Sequence, residues 1–177
     1  MSDSKVFLVT GASRGLGAAI VDQLTALGYA VLATARDEKG LQKRYHSNLL
    51  VQYIPADLSD PESARRLAQA VRERFGHLDG LVNNAGVIGP IARLGEADTK
   101  AWSISVNINF ITPALLMAEC LRAFPDQCKR IVNISSGAAV KTVEGWSAYC
   151  SAKAGLLHLA SVAAVEYPEA AIFSLRP

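Results

Sequence analysis

The chain has 177 residues, of which 50% are hydrophobic and 19% are charged, and its formal net charge is +2. This length suits one domain with its own hydrophobic core, and this composition excludes a disordered chain. The small net charge and the dispersed basic residues form no basic stripe, so nucleic acid is not expected as a partner.

The N-terminal residues favour a cytoplasmic protein. Residues 1–5 are polar, and the first apolar run, 6–9, is too short for a signal peptide or a membrane span. We therefore expect no membrane partner. The cysteines and histidines show neither C-x-x-C nor H-E-x-x-H spacing, so neither a disulfide framework nor a metal site is expected.

Short apolar runs alternate with amphipathic helical stretches along the chain. Nearly continuous apolar runs are typical of strands buried on both faces of a parallel sheet. The alternation predicts a single α/β domain over 1–177, a Rossmann-type doubly wound parallel sheet with helices on both faces. The third helix is predicted to start at 59–62, where a capping side chain precedes an early proline. The predicted strands are 6–10, 30–35, 50–54, 78–82, 130–134 and 171–175.

A glycine-rich turn follows the first predicted strand. Residues 10–17 read T-G-A-S-R-G-L-G, which places glycines where a strand turns sharply into a helix N-terminus. Such glycines let the backbone approach a pyrophosphate, and the helix N-terminus offers it unpaired N–H groups. The spacing G-x-x-x-G-x-G departs from G-x-G-x-x-G, so the turn alone also fits a tight connection without a ligand.

This turn and the motifs after it resemble the short-chain dehydrogenase/reductase family, in that family's order and over nearly the whole chain. The resemblance implies that Asp57 binds the adenine ring, with helix capping as the alternative. It also implies that N-N-A-G at 83–86 supports the sheet and the ribose side of a nicotinamide cofactor. The cofactor-binding residues implied are Gly11, Ser13, Arg14, Gly15, Leu16, Gly17, Arg36, Asp57, Leu58, Asn84, Ala85, Gly86, Tyr149 and Lys153.

The end of the second strand bears on the choice of cofactor. An NAD site places a carboxylate there, whereas an NADP site needs positive charge for the 2′-phosphate. Arg36 follows this strand and Arg14 lies in the glycine turn, so two guanidiniums can reach one phosphate. Asp37 is the competing ribose-binding acid, but NAD enzymes of the family carry the acid at the position of Ala35. NADP(H) is therefore the expected cofactor.

Tyr149 and Lys153 lie four residues apart at the start of an apolar helix, so they share one helix face. An ammonium close to a phenol stabilises the phenolate, which suits a tyrosine acid/base. Isolated Y-x-x-x-K pairs are common on helices, and the specificity comes from the other motifs. The resemblance adds Ser136, at the end of the fifth strand, and Asn107, in a helix that Pro113 weakens. It thereby implies a catalytic tetrad of Asn107, Ser136, Tyr149 and Lys153.

The implied activity is an NADPH-dependent reduction of a small-molecule carbonyl. Ser136 would bind the substrate carbonyl, Tyr149 would protonate its oxygen, Lys153 would bind the nicotinamide ribose, and Asn107 would hold a water. Residues 135–140 and 145–150 resemble the sepiapterin reductase and benzil reductase branch, which implies a vicinal dicarbonyl or a pterin side-chain ketone. Trp146 is either the wall of an aromatic pocket or ordinary packing.

Other functions stay open. Among enzymes, the alternative is a reductase of 3-oxoacyl thioesters or steroid ketones. In other classes, the alternatives are a non-catalytic NADP(H) sensor and an inactive truncated chain. Family members usually continue past 176–177 with a substrate lid, a last helix and a last strand, so we expect a chain truncated after its sixth strand. Apolar helix faces around 107–124 and 147–166 predict a homodimer or a homotetramer.

Overall fold

The fold rests on one parallel sheet, seen in a computed structural model that describes residues 4–177. Six strands lie in the order β3-β2-β1-β4-β5-β6. This order confirms the predicted Rossmann-type doubly wound parallel sheet. From β1 the strands continue outward through β2 to β3 on one side, and from β4 through β5 to β6 on the other, so the strand order switches between β1 and β4. The strands are β1 (Val6–Thr10), β2 (Ala30–Ala35), β3 (Val51–Pro55), β4 (Gly80–Asn83), β5 (Arg130–Ile134) and β6 (Ala171–Leu175).

Helices cover both faces of this sheet. Val21 of α1 and Leu41 of α2 are buried on one face, where they pack near Val9 of β1. On the other face, α3, α5 and α6 bury a larger core that includes Leu67, Leu116 and further residues. The helices are α1 (Gly15–Ala26), α2 (Glu38–Tyr45), α3 (Ser63–Phe75), α4 (Thr99–Val106), α5 (Thr112–Ala123) and α6 (Ser147–Glu166).

The third helix begins later than predicted, at Ser63. Two short turns precede it, because the carboxylate of Asp57 accepts the N–H of Ser59 at 2.9 Å and that of Asp60 accepts the N–H of Glu62 at 3.0 Å. These Asx-type turns compete with helical hydrogen bonding over the same residues. The strands β3 and β4 also begin slightly later than the apolar runs from which they were predicted.

A π-helical turn, Asn107–Ile111, joins α4 to α5. Thr112 donates its N–H to the carbonyl of Asn107, five residues back, and the next residue is Pro113, which has no N–H to donate. The helix predicted to be weakened by Pro113 is therefore interrupted there. Such wide turns change which side chains face inward.

The outer strand and the longest helices carry apolar surface. Phe173 and Leu175 of β6 are 54% and 52% exposed. By length and hydropathy alone, the stretches Thr99–Ala123 and Ser147–Glu166 could cross a membrane. Both contribute buried residues to the core, and packed core helices pass the same test, so this evidence for a membrane span is weak.

Candidate functional site

A cleft lies at the carboxyl ends of β1 to β4, at the point where the strand order switches between β1 and β4. Its volume is about 420 Å³, in the range of small-molecule sites, and this position is where open α/β sheets bind their ligands. Among residues 4–177, no group of three or more His, Cys, Asp or Glu side chains is placed to hold a metal ion. The cleft is lined by Gly11, Ser13, Arg14, Gly15, Thr34, Ala35, Arg36, Asp37, Ala56, Leu58, Asn84, Ala85, Gly86, Val87 and Ile108.

The glycine turn is pressed against the segment that follows β4. The Asn84 side chain donates from Nδ2 to the carbonyls of Thr10 and Gly11, at 2.9 and 3.2 Å. A Cβ on Gly17 would lie 2.3 Å from the Gly11 oxygen and 2.4 Å from Asn84 Nδ2. A Cβ on Gly11 would lie 2.9 Å from the Ala85 Cα, and Gly11 also has a positive φ of 66°. Only glycine fits at these two positions.

The helix that leaves this turn has free N–H groups at its start. Arg14 precedes α1, and no side chain caps the helix. Its first N–H groups are therefore available to an anion in the cleft, and the helix dipole adds favourable potential there. The buried hydroxyl of Thr34 also lines the cleft and has no hydrogen-bond partner within residues 4–177. These features fit a dinucleotide pyrophosphate and its sugar.

Tyr45, at the end of α2, contacts the glycine turn. Its side chain is buried, and its hydroxyl donates to the carbonyl of Ala12 at 2.7 Å. Burial raises the pKa of Tyr45, so the phenol keeps the proton that this bond requires. The arrangement links α2 directly to the phosphate-binding turn.

Positive charge dominates the adenosine end of the cleft. Arg14 and Arg36 both line it, both are exposed, and neither forms an ion pair within the described residues. The carboxylate of Asp37, by contrast, caps α2 by accepting the N–H of Gly40 at 2.9 Å. Asp37, the alternative ribose-binding residue, thus has a structural role as the cap of α2.

Five predicted cofactor-binding residues do not line the cleft, namely Leu16, Gly17, Asp57, Tyr149 and Lys153. Gly17 lies beneath the turn, where it allows the close approach to Asn84, and Leu16 is 45% exposed. Asp57 is exposed, and its carboxylate accepts the N–H of Ser59 in an Asx-type turn that precedes α3 without capping it. Its neighbour Leu58 does line the cleft, as predicted.

The Tyr149–Lys153 pair lies at the start of α6. Lys153 is only 4% exposed, and its Nζ donates to the carbonyl of Ile134 at 2.8 Å. The same Nζ lies 5.7 Å from the centre of the Tyr149 ring. Burial lowers the pKa of Lys153 to about 8, so the ammonium stays protonated at neutral pH. Ser136 follows β5, two residues after Ile134, and its Oγ accepts the N–H of Ala138 at 3.2 Å.

The asparagine near this pair is Asn109 and not the predicted Asn107. Asn107 donates from Nδ2 to the carbonyl of Ser59 at 3.0 Å, which directs its side chain toward the start of α3. Asn109 is fully buried, and its Nδ2 donates to the carbonyl of Val87 at 2.8 Å. Both asparagines lie in the same π-helical turn, and their hydrogen bonds show that Asn109 faces the interior beside Lys153.

Gly86 lies between the cleft and the side chains of Asn109 and Lys153. A Cβ built on Gly86 would lie 3.0 Å from Asn109 Oδ1 and 3.7 Å from Lys153 Nζ. Gly86 itself lines the cleft, whereas Tyr149 and Lys153 do not. The buried ammonium therefore lies immediately beside the end of the cleft that N-N-A-G forms.

Comparisons with known proteins agree with this geometry. The family model described as short chain dehydrogenase matches residues 5–173. The chain is 35% identical over 175 residues to a benzil reductase ((S)-benzoin forming) of Saccharomyces cerevisiae, and the match covers 93% of this chain and 66% of that protein. Among solved structures, the KRED1-Pglu enzyme matches with a TM-score of 0.91 and 34% identity, over 98% of this chain and 74% of that one.

A second solved structure contains a cofactor analogue. It is an alcohol dehydrogenase from the archaeon Thermococcus sibiricus complexed with 5-hydroxy-NADP, with a TM-score of 0.86 and 32% identity. The match covers 99% of this chain and 76% of that protein. The chain thus spans roughly two thirds to three quarters of the length of these relatives.

The contact between the glycine turn and Asn84 can be tested with Gly17→Ala. The added Cβ has no room, so we expect a loss of roughly 1–3 kcal/mol in the free energy of unfolding and weaker binding of NADPH. Gly95→Ala is the matched control, because Gly95, like Gly17, has no positive φ, and no atom lies within 4 Å of its Cβ position. Urea unfolding and NADPH fluorescence titration measure both effects. Equal NADPH affinity in the two variants would contradict the contact.

The buried ammonium predicts how stability changes with pH. The pKa of Lys153 is about 8 in the folded protein against 10.5 for the ordinary group, so between these values the unfolded chain binds more protons. Stability should then rise with pH, by roughly 2 kcal/mol between pH 7.5 and 9.5 relative to Lys153→Met. Lys100→Met, at an exposed site, serves as the control. The free energy of unfolding is measured by urea titration at each pH. The same pH dependence in wild type and Lys153→Met would contradict the lowered pKa of the buried ammonium.

Proposed function

Because the chain belongs to the short-chain dehydrogenase family, we propose that it is an oxidoreductase that reduces a small carbonyl compound with NADPH. One observation carries the proposal. The buried ammonium of Lys153 lies beside the Tyr149 ring and next to Gly86, at the end of a cleft shaped for a dinucleotide. This arrangement supports Tyr149 as a proton donor close to the proposed position of the nicotinamide.

The residues of the tetrad take separate roles. A bound nicotinamide supplies the hydride. Tyr149 gives its proton to the carbonyl oxygen, and the positive charge of Lys153 stabilises the phenolate that remains. Ser136 donates a hydrogen bond to the same oxygen and so favours the charge that develops on it. Asn109 replaces Asn107 as a positioning residue, because its amide holds the Val87 backbone beside Lys153.

The electrostatics of the cleft favour NADPH over NADH. Arg14 and Arg36 are unpaired within residues 4–177 and flank the adenosine end, while Asp37 is engaged in capping α2. Guanidiniums bind phosphate with charge-assisted, paired hydrogen bonds. The archaeal relative's complex with an NADP analogue supports the same preference.

The proposed substrate is a small ketone, either a vicinal dicarbonyl or a pterin side-chain ketone. The benzil reductase relative supports the first choice. We further propose that the chain associates with copies of itself through the outer faces of α4, α5 and α6. Ile104, Leu115 and Val162 are exposed there and make these faces apolar.

The proton-transfer role predicts the effect of Tyr149→Phe. The variant lacks the donor hydroxyl, so kcat/KM for diketone reduction should fall roughly a thousandfold, while the Kd for NADPH stays within about twofold. Tyr29→Phe is the control, since Tyr29 packs against Phe7 far from the cleft. NADPH absorbance reports turnover and fluorescence titration reports binding.

The same measurements separate the competing functions. Turnover by wild type that Tyr149→Phe abolishes supports the reductase. Tight NADPH binding without turnover of any ketone would favour the sensor, and absence of both would favour an inactive chain. A Tyr149→Phe variant with more than a tenth of wild-type kcat/KM would rule out Tyr149 as the proton donor.

The cofactor preference predicts the effect of Arg36→Ala. Loss of one guanidinium at the 2′-phosphate should raise the Kd for NADPH roughly tenfold or more and leave the Kd for NADH nearly unchanged. Adding Arg14→Ala should enlarge this difference. Arg65→Ala removes the same charge from the exposed surface of α3 and is the control. Equal weakening for both cofactors would show that Arg36 does not contact the extra phosphate.

A further inference from the structure

Three side chains follow one another along one face of α6, namely Trp146 just before its first residue, Tyr149 and Lys153. Lys153 Nζ lies 5.7 Å from the centre of the Tyr149 ring. The Trp146 ring lies 5.7 Å from the Tyr149 ring in an edge-to-face arrangement, with 85° between the planes. The phenol is therefore held between a cation and an aromatic ring.

The two neighbours of Tyr149 define two directions of approach. Lys153 is buried and lies next to Gly86, which lines the cofactor cleft, so the cofactor arrives from the Lys153 side. Trp146 is one helical turn away in the opposite direction along α6. A carbonyl compound that meets both the cofactor and the Tyr149 hydroxyl thus has its remaining substituent directed toward Trp146.

Trp146 is held in place by its backbone. Its N–H donates to the carbonyl of Val143 at 3.1 Å, and it forms a bridge with Ala92. Ala92 in turn donates its N–H to the carbonyl of Gly145 at 3.0 Å. Gly145 has a φ of 79°, and a Cβ there would lie 3.3 Å from Ile91 Cγ2. The segments that follow β4 and β5 are thereby joined at Trp146, which suits a binding wall formed before the ligand arrives.

The surface around this junction is apolar. Of the charged side chains in 87–94 and 137–146, Arg93 and Glu144 pair with each other at 3.2 Å, which leaves only Lys141 without an ion pair in these two segments. Residues that a substituent would meet there are therefore mostly aliphatic. The exposed members of this group are Ile88, Ile91, Leu94, Val140 and Val143.

We propose that Trp146, with the aliphatic side chains of 87–94 and 137–146, forms a subsite for an aromatic ring attached to the substrate carbonyl. The proposal rests on the proposed reductase function and narrows its substrate class to aryl ketones and aryl diketones. A flat ring can pack against the indole while its carbonyl reaches the Tyr149 hydroxyl. Trp146 is a specificity-determining residue in this scheme, and Tyr149 performs the proton transfer.

The test compares two diketones that differ only in the ring. 1-Phenyl-1,2-propanedione carries a phenyl group where 2,3-butanedione carries a methyl group. For Trp146→Leu we expect the KM for the phenyl compound to rise about three- to tenfold with little change in kcat, since an aromatic pair contributes about that much to affinity. The kcat/KM for butanedione should stay within about twofold. Trp146→Phe should retain most of the affinity, and Val165→Ala, at the exposed far end of α6, is the control.

Binding of the phenyl diketone without turnover is measured in parallel, by saturation-transfer NMR with NADP⁺ present. If wild type binds the compound and Trp146→Leu does not, the subsite stands even where no reduction is seen, and only the proposed reaction fails. Equal losses for both diketones would mean that Trp146 acts through Tyr149 or through folding. Equal losses, or no loss in Trp146→Leu, would each overturn the subsite.

Discussion

The close contact between the glycine turn and Asn84 underlies the whole site. Asn84 bonds two carbonyls of the segment that leaves β1, and Gly17 lies so near that no side chain fits between them. This contact fixes the path of the chain from β1 into α1, so the free N–H groups of that helix point into the cleft. It also fixes the segment after β4, whose Gly86 faces Lys153 and Asn109. The positions of the glycine turn and of the segment beside Lys153 therefore both depend on one junction between β1 and β4.

A second constraint comes from the interruption between α4 and α5. Asn109 of the π-helical turn lies in the interior, where its amide bonds the backbone of Val87 and its Oδ1 leaves little space for a side chain at 86. Lys153 then lies beside a small residue and a polar side chain but away from water, and this burial explains its lowered pKa. A straight helix would carry Asn109 elsewhere. An irregular turn thus has a defined function in this fold.

Much of this could be predicted from the sequence, and each miss has its own physical cause. Strand positions and the glycine turn follow from apolar runs and from residues with special backbone needs, which are local signals. Asn107 and Asn109 are two residues apart in the same turn, and only their long-range partners, Ser59 and Val87, distinguish the one that faces inward. The start of α3 was misplaced because two carboxylates form Asx turns before it. Tyr45 was missed because its bond to Ala12 joins residues 33 positions apart, and no local pattern announces such a contact.

The bond between Tyr45 and Ala12 also bears on attempts to redesign the protein. Helix α2 begins next to Arg36 and ends at Tyr45, so one short element touches both the adenosine end of the cleft and the pyrophosphate turn. Transplanting this helix from a relative would therefore change both of these contacts at once. A graft that keeps the tyrosine and alters only the residues around the start of the helix would leave the support of the turn in place.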